Sequence, residues 1–456
     1  MKFYYSMAVL GAAFLASNSA EAAQTKLRGS GGRHLKKNVC STGAVEYYNG
    51  WESPGWDELH DNGWESPGLA IASTWENNGK PYVVYGLQNG SVQYYDPDSN
   101  MWTQIQGEGW DSAVANIQAQ FNYDSSNNEM SYQVVVGLGN GAVMHYTSGS
   151  GSWTQLHGLG WDSSAQAMYV QWPSDNQYNE ALRVVVGLED GATEFWNGSS
   201  WIQLHGTGWS AETTAMGVLF GNTQYPQVIQ GLSDGAVEYY NEGSWTELHD
   251  DEWDSSVTSM AIQWADASQG LDTEIVVGLA DGSTQFYSSS EGSWTQLHDE
   301  GYSSEVVAIC ASTGGTGAEP QTMFQGLQDG AIEYYSKSTG WNQIKASSGT
   351  DLVGMNCVFT EAGNQIVATF ADGSVEYYNS EVDGGAFQTL QGEGWNNAMY
   401  AFNAKFDTSG VDQPMIVGGL APEPGASCGN INWKKVIKKA VKLCYNYCED
   451  IAELAA

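Results

Sequence analysis

One segment governs what this chain can become. Residues 231–264, GLSDGAVEYYNEGSWTELHDDEWDSSVTSMAIQW, recur with variations through almost everything between Cys40 and Cys428. Aligned on a turn glycine, the copies fall at Gly43, Gly90, Gly141, Gly191, Gly235, Gly282, Gly330 and Gly373, at intervals of 43 to 51 residues. A repeat of this length holds one supersecondary unit that buries its apolar faces only by stacking on its neighbours, and the interval suits a four-stranded propeller blade.

Each unit holds four short apolar runs, exemplified by MAIQW (260–264), VVVGL (184–188), AVEYY (236–240) and WTELH (245–249). Their β-branched and aromatic content favours strands, and no unit holds a helical period long enough to compete. Asp-Gly or Asn-Gly separates the second run from the third in seven copies, which predicts a tight hairpin of type I′ with positive φ at both central residues.

The array begins and ends in mid-unit. Third and fourth strands at 43–48 and 56–60 have no first or second strand before them, while 398–402 and 415–420 supply a first and second with no third after them. The two halves complete one blade. The predicted fold is therefore an all-β, eight-bladed propeller over 40–428, closed by a blade split between the two ends of the chain, since closure removes free sheet edges. Cys40 and Cys428 fall at that seam and are expected to pair. Cys310 and Cys357 lie in first strands of adjacent units, and either pair or serve as two buried small hydrophobes.

The flanks differ in character. Residues 1–22 read as a secretory signal peptide, with Lys2, an apolar run and small residues before Ala22. Residues 23–39 form a Gly-rich basic leader or a propeptide. Arg33-His-Leu35 within it resembles the Arg-x-Leu processing sites of some algal cell-wall proteins and, more loosely, the host-targeting motif of oomycete effectors. After Pro422 and Pro424, apolar residues from Trp433 to Ile451 recur at helical spacing opposite Lys434, Lys435, Lys438, Lys439 and Lys442, so 429–456 predicts a basic amphipathic helix. That helix docks on the acidic propeller or, alternatively, contacts a membrane. The implied location is secreted, extracellular or in a cell wall.

Charge narrows the partners. The 456-residue chain carries a net −37, and the interval 43–420 holds 48 of its 53 acidic residues but 5 of its 16 basic ones, a net −43. Such a field excludes nucleic acid and anionic lipid and attracts cations and basic proteins.

The link between blades is also repeated: LHGLGWDSS from Leu156, LHGTGWS from Leu204 and LHDDEWDSS from Leu248, with Trp64, Trp110 and Trp395 ending other copies. It should emerge on the same face as the hairpin turns. Trp64, Trp110, Trp161, Trp209, Trp253 and Trp395, with His157, His205, His249, Asp111, Asp162 and Asp254, are the candidate carbohydrate-binding residues. An indole offers flat apolar area to a sugar's CH face, while Asp and His offer directional partners to its hydroxyls. The competing reading makes these indoles wedges between blades, the turn aspartates turn chemistry, and each histidine a local hydrogen-bonding group. The Leu-His-Gly-x-Gly-Trp run and the blade pattern resemble tachylectin and tectonin-type lectin propellers. That resemblance implies glycans or glycoproteins as partners and multivalent recognition. Fungal fucose-binding propellers are similar in plan but use an Arg and a Glu per site, and Arg183 and Glu194 occur together in one unit alone.

The alternative is an acidic matrix or adhesion protein that gathers Ca²⁺ or a basic partner. No cofactor is otherwise implied, and His60, His157, His205, His249 and His298, which come at blade intervals, are too far apart for a shared metal site. An enzyme is the poorer reading, because the carboxylates repeat where catalysis needs one asymmetric constellation; a two-carboxylate glycoside hydrolase is its remaining form.

Overall fold

A computed structural model describes residues 44–420, apart from 52–53, 61–63, 65, 76–78, 108–109, 125–128, 159–160, 162, 174–180, 207–210, 222–223, 251–252, 266–270, 299–303, 313–319, 361, 383, 393–397 and 408–411. Within them, 32 strands form eight four-stranded antiparallel sheets. Seven sheets are contiguous in sequence and are numbered here blades 1 to 7 from Gly68. Blade 5 is typical, with Val257–Gln263, Glu274–Leu279, Thr284–Ser288 and Ser293–His298 side by side in chain order.

Blade 8 is the split one. Its order is Gly55–His60, Val45–Asn49, Met415–Leu420, Met399–Lys405, with Val45 opposite Gly419 and Tyr48 opposite Ile416. The N-terminal end supplies the outer pair and the C-terminal end the inner pair, as the half-units require. First strands touch first strands all around the circle, and Gly68–Thr74 meets both Val114–Asp124 and Met399–Lys405, which closes it. The first strand of each blade is thus innermost and the fourth outermost.

The core lies between blades, not inside them. Second strands are covered on both faces, so Val134, Val135 and Val136, or Val184, Val185 and Val186, are all fully buried. This explains their unbroken aliphatic runs, since each buried Val contributes roughly 1.5–3 kcal/mol. The glycine next to last in seven of these runs has a packing reason. A Cβ on Gly231 would lie 2.5 Å from a methyl of Val257, the first residue of the next blade's inner strand.

The hairpins differ from the predicted type I′. In the turn after Leu87, the Gly90 N–H donates to the Leu87 carbonyl at 3.0 Å, and Gly90, not Asn89, has positive φ, 83°. The same left-handed glycine recurs at Gly141, Gly191, Gly235, Gly282, Gly330 and Gly373. The Asn or Asp before it instead accepts the N–H two residues on, as Asp190 accepts from Ala192 at 3.1 Å and Asp281 from Ser283 at 2.9 Å. A side-chain hydrogen bond fixes the turn and leaves one residue in the left-handed region.

Cys310 and Cys357 are paired, with Cα atoms 6.4 Å apart. The Cys40–Cys428 pair, the signal peptide, the leader and the 429–456 helix lie outside the described residues. Among the described residues, no helix is long and apolar enough to cross a membrane.

Candidate functional site

The repeated aromatic link is built by three local devices. The first is a bulge late in the fourth strand. In blade 4, Glu247 faces Glu238 but His249 faces Val237, so Leu248 is the extra residue and His249 is carried to the blade's turn end. Blade 2 repeats this, with Gln155 opposite Met144 and His157 opposite Val143.

The second device is a clasp of rings across each boundary. His157 stacks on Trp161 at 3.5 Å between centroids and 9° between planes, and Trp161 stands at 88° to Trp201 of the next blade, 4.9 Å away. His249, Trp253 and Trp294 repeat this at 3.5 and 4.9 Å, as do His60, Trp64 and Trp102 at 3.5 and 4.8 Å. Trp110 meets Trp153 edge-on at 4.8 Å, with Gln106 in the histidine's place. His205 stands edge-on to Trp245 at 5.8 Å. Burial lowers the pKa of His157 and His205 below 6.5, which favours the neutral form of both and keeps His157 an uncharged stacking partner.

The third device is a strut. The fourth-strand indole of seven blades donates its N–H to the fourth-strand carbonyl of the preceding blade. Trp102 donates to Leu59, Trp153 to Ile105, Trp201 to Leu156, Trp245 to Leu204 and Trp341 to Leu297, all at 2.8 Å. Trp294 donates to Leu248 at 2.7 Å and Trp56 to Leu390 at 3.0 Å. Seven of the eight boundaries are held this way.

The polar residues of the link are also engaged. Ser163 accepts the Asp190 N–H at 3.0 Å, and Ser255 accepts that of Asp281 at 3.0 Å, so the serines after the link tryptophans brace the next blade's hairpin. Asp111 and Asp254 are exposed on the rim with φ of 49° each. Trp209, Trp395 and Asp162 lie outside the described residues. Among the expected site residues, then, the structure brings His157 to Trp161 and His249 to Trp253. It sets Trp64 and Trp110 against outer-strand indoles and leaves Asp111 and Asp254 facing solvent.

Reading single residues in isolation missed the buried carboxylates beneath these links. Glu46, Glu194 and Glu238 occupy one position of the third strand, and each is pushed up to about 7, chiefly by burial. Glu58 and Asp57 add to the shift at Glu46, and Glu247 and Asp234 at Glu238. The signal was present in the period-two pattern, because Glu46 sits directly opposite Glu58, and Glu238 opposite Glu247. Glu247, His249 and Asp250 line a shallow open depression beside that second pair. Among the described residues, no group of three or more His, Cys, Asp or Glu is placed to hold a metal ion.

No family model matches this chain, and no curated protein matches it. Solved structures do. Sqt1 of Chaetomium thermophilum bound to the N-terminus of the ribosomal protein L10 aligns at a TM-score of 0.52 and 13% identity, over 84% of this chain and 100% of that one. Sqt1 of Saccharomyces cerevisiae aligns at 0.50 and 15% identity, over 70% and 85%. The C-terminal WD40 domain of Sif2 aligns at 0.44 and 13% identity, over 78% and 96%. The glycan or glycoprotein partner expected from the lectin resemblance is corrected here. The similar Chaetomium structure holds a protein segment, not a glycan. In this chain Trp64, Trp161 and Trp253 each have one ring face covered by histidine. The chain is an eight-bladed β-propeller and shares that fold with the Sqt1 structures.

Proposed function

We propose that this protein is an acidic interaction scaffold that captures basic segments of other proteins on its turn face, in an extracytoplasmic, oxidising compartment. The observation that carries the reading is charge: a net −43 over 43–420, relieved by five basic side chains. Asp111, Asp234, Asp250 and Asp254 are exposed at the turn end of the blades, and rigid hairpins hold their neighbours in place. A Lys- or Arg-rich segment gains from each carboxylate it approaches, and a field of this size speeds its encounter. The protein segment bound to Chaetomium Sqt1 supports a protein partner for this fold. The N-terminal sequence and the Cys310–Cys357 pair support export.

The test is fluorescence anisotropy with three labelled peptides of equal length, one Lys/Arg-rich, one Asp/Glu-rich and one neutral. Binding is expected for the basic peptide alone. It should weaken at least tenfold between 50 and 300 mM salt, since exposed charges are screened over roughly 8–10 Å at physiological strength. Replacing Asp250 and Asp254 by Lys should weaken it further. Equal binding of all three peptides, or binding indifferent to salt, would overturn the reading.

A further inference from the structure

One boundary of the ring is built differently from the rest. Blade 6 comprises Val306–Ser312, Thr322–Leu327, Ile332–Ser336 and Gly340–Lys345, and blade 7 Leu352–Thr360, Gly363–Phe370, Val375–Asn379 and Gln388–Gln391. Where other blades carry the strut indole, blade 7 has Phe387, which has no N–H to donate to Ile344. Where other blades end in His or Gln, blade 6 ends in Lys345. The link that follows, 346–351 (ASSGTD), contains no aromatic residue.

The replacements form a set. Lys345 pairs with Glu376 of blade 7 at 2.8 Å and lies 5.1 Å from the ring centre of Phe370 and 5.5 Å from that of Phe387. Phe370 stands where other blades have a leucine, such as Leu327. A cation between two phenyl rings thus substitutes for histidine on indole. This clasp depends on charge and, unlike the indole struts, makes no hydrogen bond to the neighbouring backbone. At the inner end of the same boundary, Cys310 of blade 6 is bonded to Cys357 of blade 7. The disulfide therefore joins the pair of adjacent blades that lacks the indole strut.

We infer that the boundary between blades 6 and 7 is a redox-controlled latch, and that the propeller parts there when Cys310–Cys357 is reduced. A phosphine reductant is oxidised to its oxide with oxygen from water, the S–S bond breaks, and each sulfur takes up a proton. The ring is then held at this boundary by apolar packing, the Lys345 clasp and two hydrogen bonds, from the Leu352 N–H to the Gln328 carbonyl at 3.0 Å and from the Asn364 side chain to the Tyr334 hydroxyl at 3.5 Å. The other seven boundaries keep their struts. The split blade, held by a continuous backbone ladder, is not where the ring opens.

Hydrogen–deuterium exchange on the full chain, oxidised and after treatment with tris(2-carboxyethyl)phosphine, tests this. Reduction is expected to speed exchange at least tenfold in 306–312, 340–345, 352–360 and 388–391, and to leave 399–405 and 415–420 within twofold. Cys310→Ser with Cys357→Ser should show the fast exchange without reductant and respond no further in these strands. Adding Phe387→Trp, which restores a donor toward Ile344, should slow it again. If the double Ser variant does not fold, Phe387→Trp in the native background serves instead, and is expected to blunt the effect of reductant. Exchange that rises evenly around the ring, or first in the split blade, or that Phe387→Trp leaves unchanged, would overturn the latch.

Discussion

At the residue scale, the tryptophans divide into two kinds of work that their shared periodicity conceals. Trp201 spans a boundary by donating its N–H to Leu156 at 2.8 Å, whereas Trp161 fills the link by stacking on His157 and meeting that same indole edge to face. Phenylalanine keeps the ring of either but not the donor. Trp201→Phe should therefore leave the Leu156 carbonyl without its partner and cost about 1–3 kcal/mol. Trp161→Phe forfeits part of a stack and some buried area, about 0.5–1.5 kcal/mol. Urea unfolding of the two variants checks the order. If Trp161→Phe leaves the midpoint unchanged, the link indole is not part of the clasp. A histidine on an indole face was not foreseen from sequence, where His157, His205 and His249 are read as sugar-binding candidates or, in the competing reading, as local hydrogen-bonding groups. The stack depends on the strand bulge that turns His157 and His249 toward the link, and a bulge leaves no residue signature of its own.

At the scale of elements, the blade was legible because its four runs carry different burial demands. Aliphatic second strands, Tyr-bearing third strands and Trp-bearing outer strands each wrote their position into composition, and the half-units at the two ends of the array fixed the split blade. The hairpin was half legible: Asp-Gly marked the turn, but its type depended on whether the Asp side chain or its backbone did the bending. Gly235 has φ of 97°, and a Cβ there would lie 2.8 Å from the Ser255 carbonyl, whereas Gly243, at 92°, has nothing within 4 Å. Alanine at Gly243 should cost about 1 kcal/mol of backbone strain. Alanine at Gly235 adds a clash with the next link and should cost about 2–4 kcal/mol. Thermal melts of the pair separate conformation from close approach, and equal losses would show that the link yields freely. The boundary between blades 6 and 7 was illegible by the same logic, since its meaning lies in what Phe387, Lys345 and 346–351 replace. A bond across 47 residues contributes about 4 kcal/mol in the chain-entropy model, more than the roughly 1 kcal/mol of a single neutral hydrogen bond.

At the scale of the whole molecule, the ring repeats an electrostatic burden along with its geometry. Glu46, Glu194 and Glu238 have folded pKa values of about 7 against 4.5 ordinarily, so each holds its proton more tightly in the folded chain. As pH rises from about 4.5 to 7, the unfolded chain releases these protons before the folded one does. Stability from these groups is therefore full below 4.5, falls through that window and stays low above it. His145, His157 and His205 act in the opposite sense, because burial lowers their pKa from 6.5 and the unfolded chain gains protons first below that value. The acids win between pH 8 and 6, because the folded carboxyls near 7 take up their protons across that window while the unfolded histidines charge mainly in its lower part, and because loss of carboxylate charge also relieves a body of net −43. The melting temperature should rise by several degrees on going from pH 8 to 6 and level off nearer pH 5, where the histidines oppose it. Glu238→Gln imitates the protonated carboxyl beside Glu247. It should raise the melting temperature at pH 8, leave it unchanged near pH 5 and flatten the curve between. Addition of 0.5 M salt at pH 8 should recover part of the same gain by screening the body's repulsion, while leaving the desolvation of Glu238 untouched. A melting temperature that falls steadily from pH 8 to 6, or a Gln variant less stable than the native chain at pH 8, would mean that these carboxylates are stabilised as anions and that the charge of the ring is no burden to it.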